Sequence, residues 1–380
     1  MRPADAKHHF NTSCVHAAQS PDPATGAIAP PIHLTTTFER DADGGYPRGF
    51  RYSREGTPNR DALEACVAEL EGGIAALACS SGLAAAAIVF ELLSPGERVV
   101  AARRTYYGVQ KQLRDMVARR GTAVEFVEAG DTAELARAVD ARTRLVWVET
   151  PANPLLSLTD LAAAAEIAHA QGARLACDNT FATPYCQRPF QHGVDIVMHS
   201  GTKYLGGHSD VLSGLVVVRD DQALAARLRE IHTEGGAVLG PFDCWLLRRS
   251  IATLGLRMRQ QCASAIAIAE RLAANPRVER VLYPGLATHP EHALARRQMS
   301  GGFGAMISVL VRGERERAMA VAARTQLFKR ATSLGGVESL IEHRASIEGP
   351  GTTVPDNLLR LSIGIEDPDD LIADLESALG

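Results

Sequence analysis

The sequence predicts an α/β fold: a mostly parallel sheet covered by helices, followed by a smaller C-terminal α+β domain. Three observations lead there. Apolar strands alternate with helical stretches from about residue 74 onward. The strands, such as Leu145 to Val148, are apolar along their length, as strands buried on both faces are. Around residues 230 to 260 the pattern then gives way to long helical text, CWLLRRSIATLGLRMRQQCASAIAIAERLAAN. The divisions that follow are an arm over 1–60, a large domain over 61–240 and a small domain over 241–380.

The arm is rich in Pro, Thr, Gly and Arg and shows no sustained helical period. From Arg60, RDALEACVAELEGG is an amphipathic helix stopped by Gly72 and Gly73. ALACSSGLAAAAIVFELLSPG gives a short strand, a Ser-Ser-Gly turn and a helix, and RVVAARRTYYG gives a strand and turn. TRLVWVETPANP is a β-branched strand ending in Glu, Thr and Pro. LAAAAEIAHAQG is a helix with a glycine stop, ARLACDNTF another strand, and VDIVMHSGTKY and VLSGLVVVRD two more. In the last third, GAMISVLV, a helix near Arg315 to Thr325, and LLRLSIGIE before a final helix describe the smaller domain. There is no internal repeat.

With 380 residues, 46% hydrophobic and 22% charged, the chain can bury a sizeable core. Its formal net charge of −4 offers no basic face for nucleic acid. Apolar runs such as Gly82 to Leu93 are too short to span a membrane. MRPADAKHHFNTS lacks the apolar segment of a secretory signal, and the seven cysteines include no CxxC pair. Buried thiols in a cytoplasmic protein are therefore expected, with neither a disulfide framework nor a metal site.

The chain contains only four lysines, Lys7, Lys111, Lys203 and Lys329. One of them stands in HSGTKYLGGHSD, between small residues and apolar runs. An amine can lose its proton and condense with a carbonyl, which a guanidinium cannot do.

In open α/β sheets ligands lie beyond the carboxyl ends of the strands. Ser80-Ser81-Gly82 ends the first strand and opens a helix, so it reads as a plain N-cap or as a phosphate cradle, with N–H groups from Gly82 and Leu83. Tyr106-Tyr107 ends the next strand, where a flat ring could be stacked or the rim packed. Asn153 lies between prolines in ETPANP, fitting turn chemistry or a polar contact. Asp178 follows an apolar strand and needs a cation or strong donor. Ser200, Thr202 and Lys203 follow the last. Together these residues suit pyridoxal 5'-phosphate: helix-terminal N–H groups and hydroxyls for the phosphate, a buried Asp for the pyridine nitrogen, an aromatic for the ring and a lysine for the aldehyde.

The lysine segment, with Asp195-Ile196 before it and Gly207-His208-Ser209 after it, resembles the signature of the Cys/Met-metabolism PLP enzymes. That family includes cystathionine γ-synthases, cystathionine γ- and β-lyases and methionine γ-lyases. The resemblance runs from about His33 to the final helix through YSREGTP, SSGLAA, ETPANP, DNTF, SLGGVESL and RLSIGIED. It implies an aspartate aminotransferase-like (fold type I) PLP-dependent transferase fold. Lys203 would be the Schiff-base lysine and proton shuttle, Asp178 the partner of the pyridine nitrogen, and Tyr107 the stacking ring. Asn153 would lie near the ring hydroxyl, and Arg360 and Ser333 would hold the substrate α-carboxylate. Tyr52 and Arg54 would reach the cofactor phosphate from a neighbouring subunit, which implies a homo-oligomer, a tetramer built as a dimer of dimers.

The chain departs from the family's pattern around the distal pocket. Gly108-Val109-Gln110 stands where similar sequences have Gly-Gly-Thr, or Gly-Cys-Thr in methionine γ-lyases. Thr332 replaces a frequent Glu, Arg51 a frequent acid, GTPN the usual GNPT, and EHRASIEGPGTT the usual EHPA with a later MTH. The pocket thereby loses an acid and gains Arg51 and Arg344. The activity expected is γ-elimination on a sulfur-containing or related amino acid, cystathionine γ-lyase-like, with cystathionine γ-synthase-like replacement on an O-acyl-homoserine as the alternative. Cystathionine β-lyase, methionine γ-lyase and a γ-lyase for a non-sulfur substrate rank behind. Other classes are a PLP-binding protein without catalysis and a serine hydrolase, whose GxSxG elbow GHSDV misses at Val211.

Overall fold

The structure is a computed structural model that describes residues 8–348 and 353–380. Seven strands form one sheet: β1 Ala75–Cys79, β2 Arg98–Ala102, β3 Ala123–Val127, β4 Thr143–Glu149, β5 Arg174–Asp178, β6 Ile196–Ser200 and β7 Gly214–Val218. Their order is β1-β7-β6-β5-β4-β2-β3. The run from β3 to β6 is parallel, whereas β7 is antiparallel to both β6 and β1. No crossover helix separates β6 from β7, and without a crossover the chain can only return antiparallel. The mostly parallel α/β sheet expected from the strand composition is thus present, with β7 as its exception.

Five further strands form a second sheet in the order β10-β11-β12-β9-β8. They are β8 Val278–Leu282, β9 Met306–Val311, β10 Lys329–Arg330, β11 Leu340–His343 and β12 Leu358–Ser362. This sheet is antiparallel except for the β10–β11 pair. Sequence patterning missed β3, β8, β10 and β11. The edge strand β3 is half-buried over most of its length, so its composition gives a weak signal.

Residues before 60 contain a helix, Phe10–His16, which the lack of helical period did not predict. An arginine from elsewhere satisfies its last carbonyls: Arg248 donates to Cys14 O at 3.1 Å and to Ala17 O at 2.8 Å. Such a short helix takes its stability from tertiary contacts rather than from its own propensity. The next helix, Pro58–Glu71, starts two residues ahead of the expected Arg60; Thr57 caps it by accepting from Arg60 N at 3.2 Å. Among the described residues no helix is long and apolar enough to cross a membrane, and all seven cysteines are free and buried.

β7 places the functional end of the sheet. Gly214, its first residue, lies so close to the turn before the Gly82–Phe90 helix that an added Cβ would sit 2.1 Å from Ser81 O and 2.9 Å from Ala85 Cβ. Any side chain there must push the helix start away from the strand. Gly214→Ala is therefore expected to destabilise the protein by about 1–3 kcal/mol, the usual cost of overpacking. It should also weaken binding at the displaced Gly82, the phosphate cradle that the family resemblance implies. Denaturant midpoints and cofactor titration of the same variant check both effects.

Candidate active site

The carboxyl ends of β1, β4, β5 and β6 open into a cavity of about 490 Å³, closed on its other side by residues 332–334, Arg344 and Arg360. Ser81 caps the Gly82–Phe90 helix by accepting from Ala84 N at 3.1 Å, which leaves the first N–H groups of the helix directed at this space. A Cβ on Gly82 would meet Ser200 Cβ at 3.0 Å and Ser200 Oγ at 3.1 Å, so glycine keeps a narrow polar cradle open there. Leu83, Ser200 and Thr202 line the same end. The Thr202 hydroxyl is already engaged, donating to Ser213 O at 3.1 Å, and it can serve a phosphate only by turning away.

Two carboxyl groups form the floor. Asp178 and Glu149 are paired neighbours on β5 and β4 and both are buried. Burial raises the proton affinity of each, and for Glu149 the adjacent Asp178 charge raises it further. Asp178 Oδ1 is held by Thr180 N at 3.0 Å. Glu149 accepts from Tyr106 N at 2.6 Å, Thr105 Oγ1 at 3.0 Å and Asn153 N at 3.1 Å. Behind Thr105, Trp147 Nε1 donates at 3.2 Å. Tyr107 opens its helix beside the cavity, its ring 4.8 Å from that of Tyr106 and half exposed, available for a flat ligand to stack on.

Lys203 sits in the turn after β6. Its amine donates to Ser333 Oγ at 2.8 Å, and burial, aided by the Arg360 charge, lowers its pKa to about 8. Ser333 takes a positive φ of 91°, which a side chain rarely adopts. Its carbonyl accepts from Arg360 Nη2 at 3.1 Å. Arg360, on β12, also donates through Nη1 to Asn153 Oδ1 at 2.9 Å and through Nη2 to Glu342 Oε2 at 2.6 Å. Asn153 thus lines the cavity with its amide oxygen on the guanidinium. Thr332 and Arg344 line the far end.

Arg51, Tyr52 and Arg54 lie outside this cavity in their own chain. Arg51 pairs with Glu55, Nε to Oε2 at 2.8 Å, and Arg54 Nη1 donates to Thr233 O at 3.1 Å. Tyr52 is exposed beneath the Arg54 guanidinium, 5.7 Å from its ring centroid. Sequence reasoning left out Glu149, Thr180 and Glu342. Glu149 ends β4 four positions before Asn153, and Thr180 follows the end of β5 two positions after Asp178, so the strand-end rule could have found them. Glu342 lies inside a strand that patterning did not detect.

The sequence profile of the Cys/Met metabolism PLP-dependent enzymes matches residues 11–380. A Mycobacterium tuberculosis (strain H37Rv) protein named cystathionine gamma-synthase is 47% identical, over 97% of this chain and 96% of its own. One from Coxiella burnetii named cystathionine beta-lyase is 44% identical over 98% of both. One from Mus musculus named cystathionine gamma-lyase is 43% identical over 98% of this chain and 95% of its own. The crystal structure of metB from Corynebacterium glutamicum superposes with a TM-score of 0.95 at 42% identity over 98% of each chain.

The cavity fits pyridoxal phosphate. Gly82 keeps a phosphate-sized cradle open, Asp178 is a buried carboxylate without bulk water to solvate it, and Lys203 carries an amine that deprotonates near neutrality. Condensation with an aldehyde requires the neutral amine. A lysine pKa lowered to about 8 leaves the amine mostly protonated below that pH and mostly free above it. Capture of pyridoxal phosphate by the cofactor-free protein should therefore accelerate about tenfold per pH unit below this value and level off above it. Stopped-flow absorbance across a pH series checks the profile; a flat profile, or a rise continuing to pH of about 10.5, contradicts the lowered value.

Proposed function

The chain belongs to the Cys/Met metabolism PLP-dependent enzyme family, and from that premise we propose that it catalyses γ-elimination on a sulfur-containing amino acid, as a cystathionine γ-lyase does. The observation supporting this reading is the link Lys203 Nζ to Ser333 Oγ at 2.8 Å and Ser333 O to Arg360 Nη2 at 3.1 Å. It joins a proton-carrying amine and a carboxylate-binding fork through one residue.

Bound pyridoxal phosphate supplies an electron sink conjugated to the substrate's α-carbon. In the proposed arrangement Lys203 holds its aldehyde, Asp178 its ring nitrogen and Tyr107 its ring face. Gly82, Leu83, Ser200 and Thr202 hold its phosphate, joined by Tyr52 and Arg54 of a neighbouring subunit in a tetrameric, cytoplasmic enzyme. Arg360 receives the α-carboxylate with Ser333 and Asn153 beside it, which fixes the Cα–H bond towards Lys203. With the substrate's amine joined to the cofactor in its stead, the Lys203 amine would accept the α-proton, pass it to the conjugated system, and only then, neutral again, accept one from Cβ, which it can return to the departing γ-substituent. Departure of the γ-substituent follows, and water completes an elimination to a 2-oxo acid and ammonia.

A second reading is γ-replacement, in which a thiol completes the reaction instead. It draws support from the mycobacterial relative named cystathionine gamma-synthase at 47% identity. L-Cystathionine supplied alone to the loaded protein separates the outcomes. Cysteine with 2-oxobutanoate is expected; pyruvate with homocysteine would move the protein to β-elimination. No product from cystathionine, with cystathionine formed from an O-acyl-homoserine and cysteine, would establish replacement. Lys203→Ala should lower turnover at least about a hundredfold, as loss of a positioned acid–base does. Full turnover in that variant would sink both readings.

A further inference from the structure

Arg344 follows β11 directly, opens the short helix Arg344–Glu348, and is buried against the cavity. Its Nη1 donates to Glu342 Oε2 at 3.0 Å. Arg360 Nη2 donates to the same oxygen at 2.6 Å, so one carboxylate oxygen is shared by two guanidiniums. Arg360 Nη2 also reaches Ser333 O, while Nη1 holds Asn153 Oδ1. Each Nη carries two hydrogens, so both of those on Nη2 are taken.

A substrate carboxylate that docks on Arg360 has to compete with these acceptors. Ser333 O and Asn153 Oδ1 are neutral. Glu342 carries the same charge as the incoming group, and like charges repel strongly at a site shielded from water. We infer that Arg344 is a positioning residue for recognition of the α-carboxylate: by sharing Glu342 Oε2 it offsets the charge of the carboxylate that Arg360 also binds, and so leaves that guanidinium attractive to substrate. Without Arg344, Glu342 would settle wholly on Arg360, and the substrate would have to displace it.

This inference rests on the reading of Arg360 as the carboxylate-binding residue, and the test separates the two. L-Norvaline has no γ-leaving group, so its binding to the loaded enzyme, followed by cofactor absorption, is independent of which bond is broken. L-Norvalinamide lacks the carboxylate and serves as the reference ligand. Arg344→Gln should raise the Kd of norvaline about tenfold or more, as expected when a buried carboxylate loses one of its partners. The amide should be unaffected in the same variant, which also reports that the cavity is intact. Adding Glu342→Gln should bring norvaline back to within about threefold of the original value, because the effect passes through Glu342.

A silent Arg344→Gln, or a double variant as weak as the single, overturns the inference. So does a loss confined to ligands with a distal anion such as L-2-aminoadipate, which would make Arg344 a direct contact for the substrate's far end. If Arg344→Gln does not fold, Glu342→Gln alone decides: norvaline must bind at least about threefold tighter, and unchanged or weaker binding overturns the inference. Arg360→Lys is measured alongside. If it weakens norvaline and the amide equally, or neither, the reading of Arg360 itself fails. If it weakens norvaline alone while Arg344→Gln is silent, only the inference about Arg344 fails.

Discussion

A buried guanidinium has to be surrounded by fixed acceptors, and meeting that demand for Arg360 holds the site together. Its acceptors come from distant parts of the chain: Asn153 after β4 of the large sheet, Glu342 on β11 and Ser333 in the loop before it. Breaking a buried ion pair costs about 3–5 kcal/mol, so this cluster resists sliding of one sheet against the other. Lys203, reached through Ser333, inherits its place from the same cluster. The positive φ of Ser333 is consistent with this demand, since one residue offers its carbonyl to Arg360 and its hydroxyl to Lys203. Backbone strain of this kind costs of order 1–3 kcal/mol and persists where surrounding contacts determine it.

At the opposite side the constraint has the reverse sign. Glu149 and Asp178 stand side by side on neighbouring parallel strands, and burial disfavours ionisation of both. Glu149 is held by three N–H or O–H donors, while the hydrogen bonds of Asp178 come from Thr180. A carboxylate so placed gains more from a bound cation than an exposed one would, because water offers it little else. That is the physical basis for assigning Asp178 to a protonated ring nitrogen. Glu149, tied to the Tyr106 and Asn153 backbones, reads instead as the brace that fixes the loops after β2 and β4.

The sheet's parallel core was legible because its strands are apolar throughout, and the cavity was legible because function gathers at the carboxyl ends of such strands. Gly82, Asn153, Asp178, Ser200 and Lys203 were all reached by that rule. Other features depend on partners distant in sequence, to which a local pattern is blind. The reversal of β7 follows from a missing crossover, and Phe10–His16 is capped by Arg248 from far along the chain. Glu342 sits in a short strand with no clear alternation, and its importance lies wholly in the two arginines that meet on it. Arg51 and Arg54 lie outside their own chain's cavity because their guanidiniums find acceptors elsewhere, on Glu55 and on Thr233 O.

Relatives with 43–47% identity to this chain carry names for synthase, β-lyase and γ-lyase alike. Such a spread is physically reasonable. In the proposed arrangement the floor and cradle hold the cofactor while Arg360 and Lys203 serve the α-carbon, a part of the chemistry that the three named reactions would share. What distinguishes them is which bond beyond Cα breaks and what enters afterwards, and that is governed by groups farther along the cavity. Here the lining includes Thr332, Leu212, Ile347 and Arg344, which pairs with Glu342. If the three reactions share the lysine, what discriminates among them has to be sought along the far wall of the cavity.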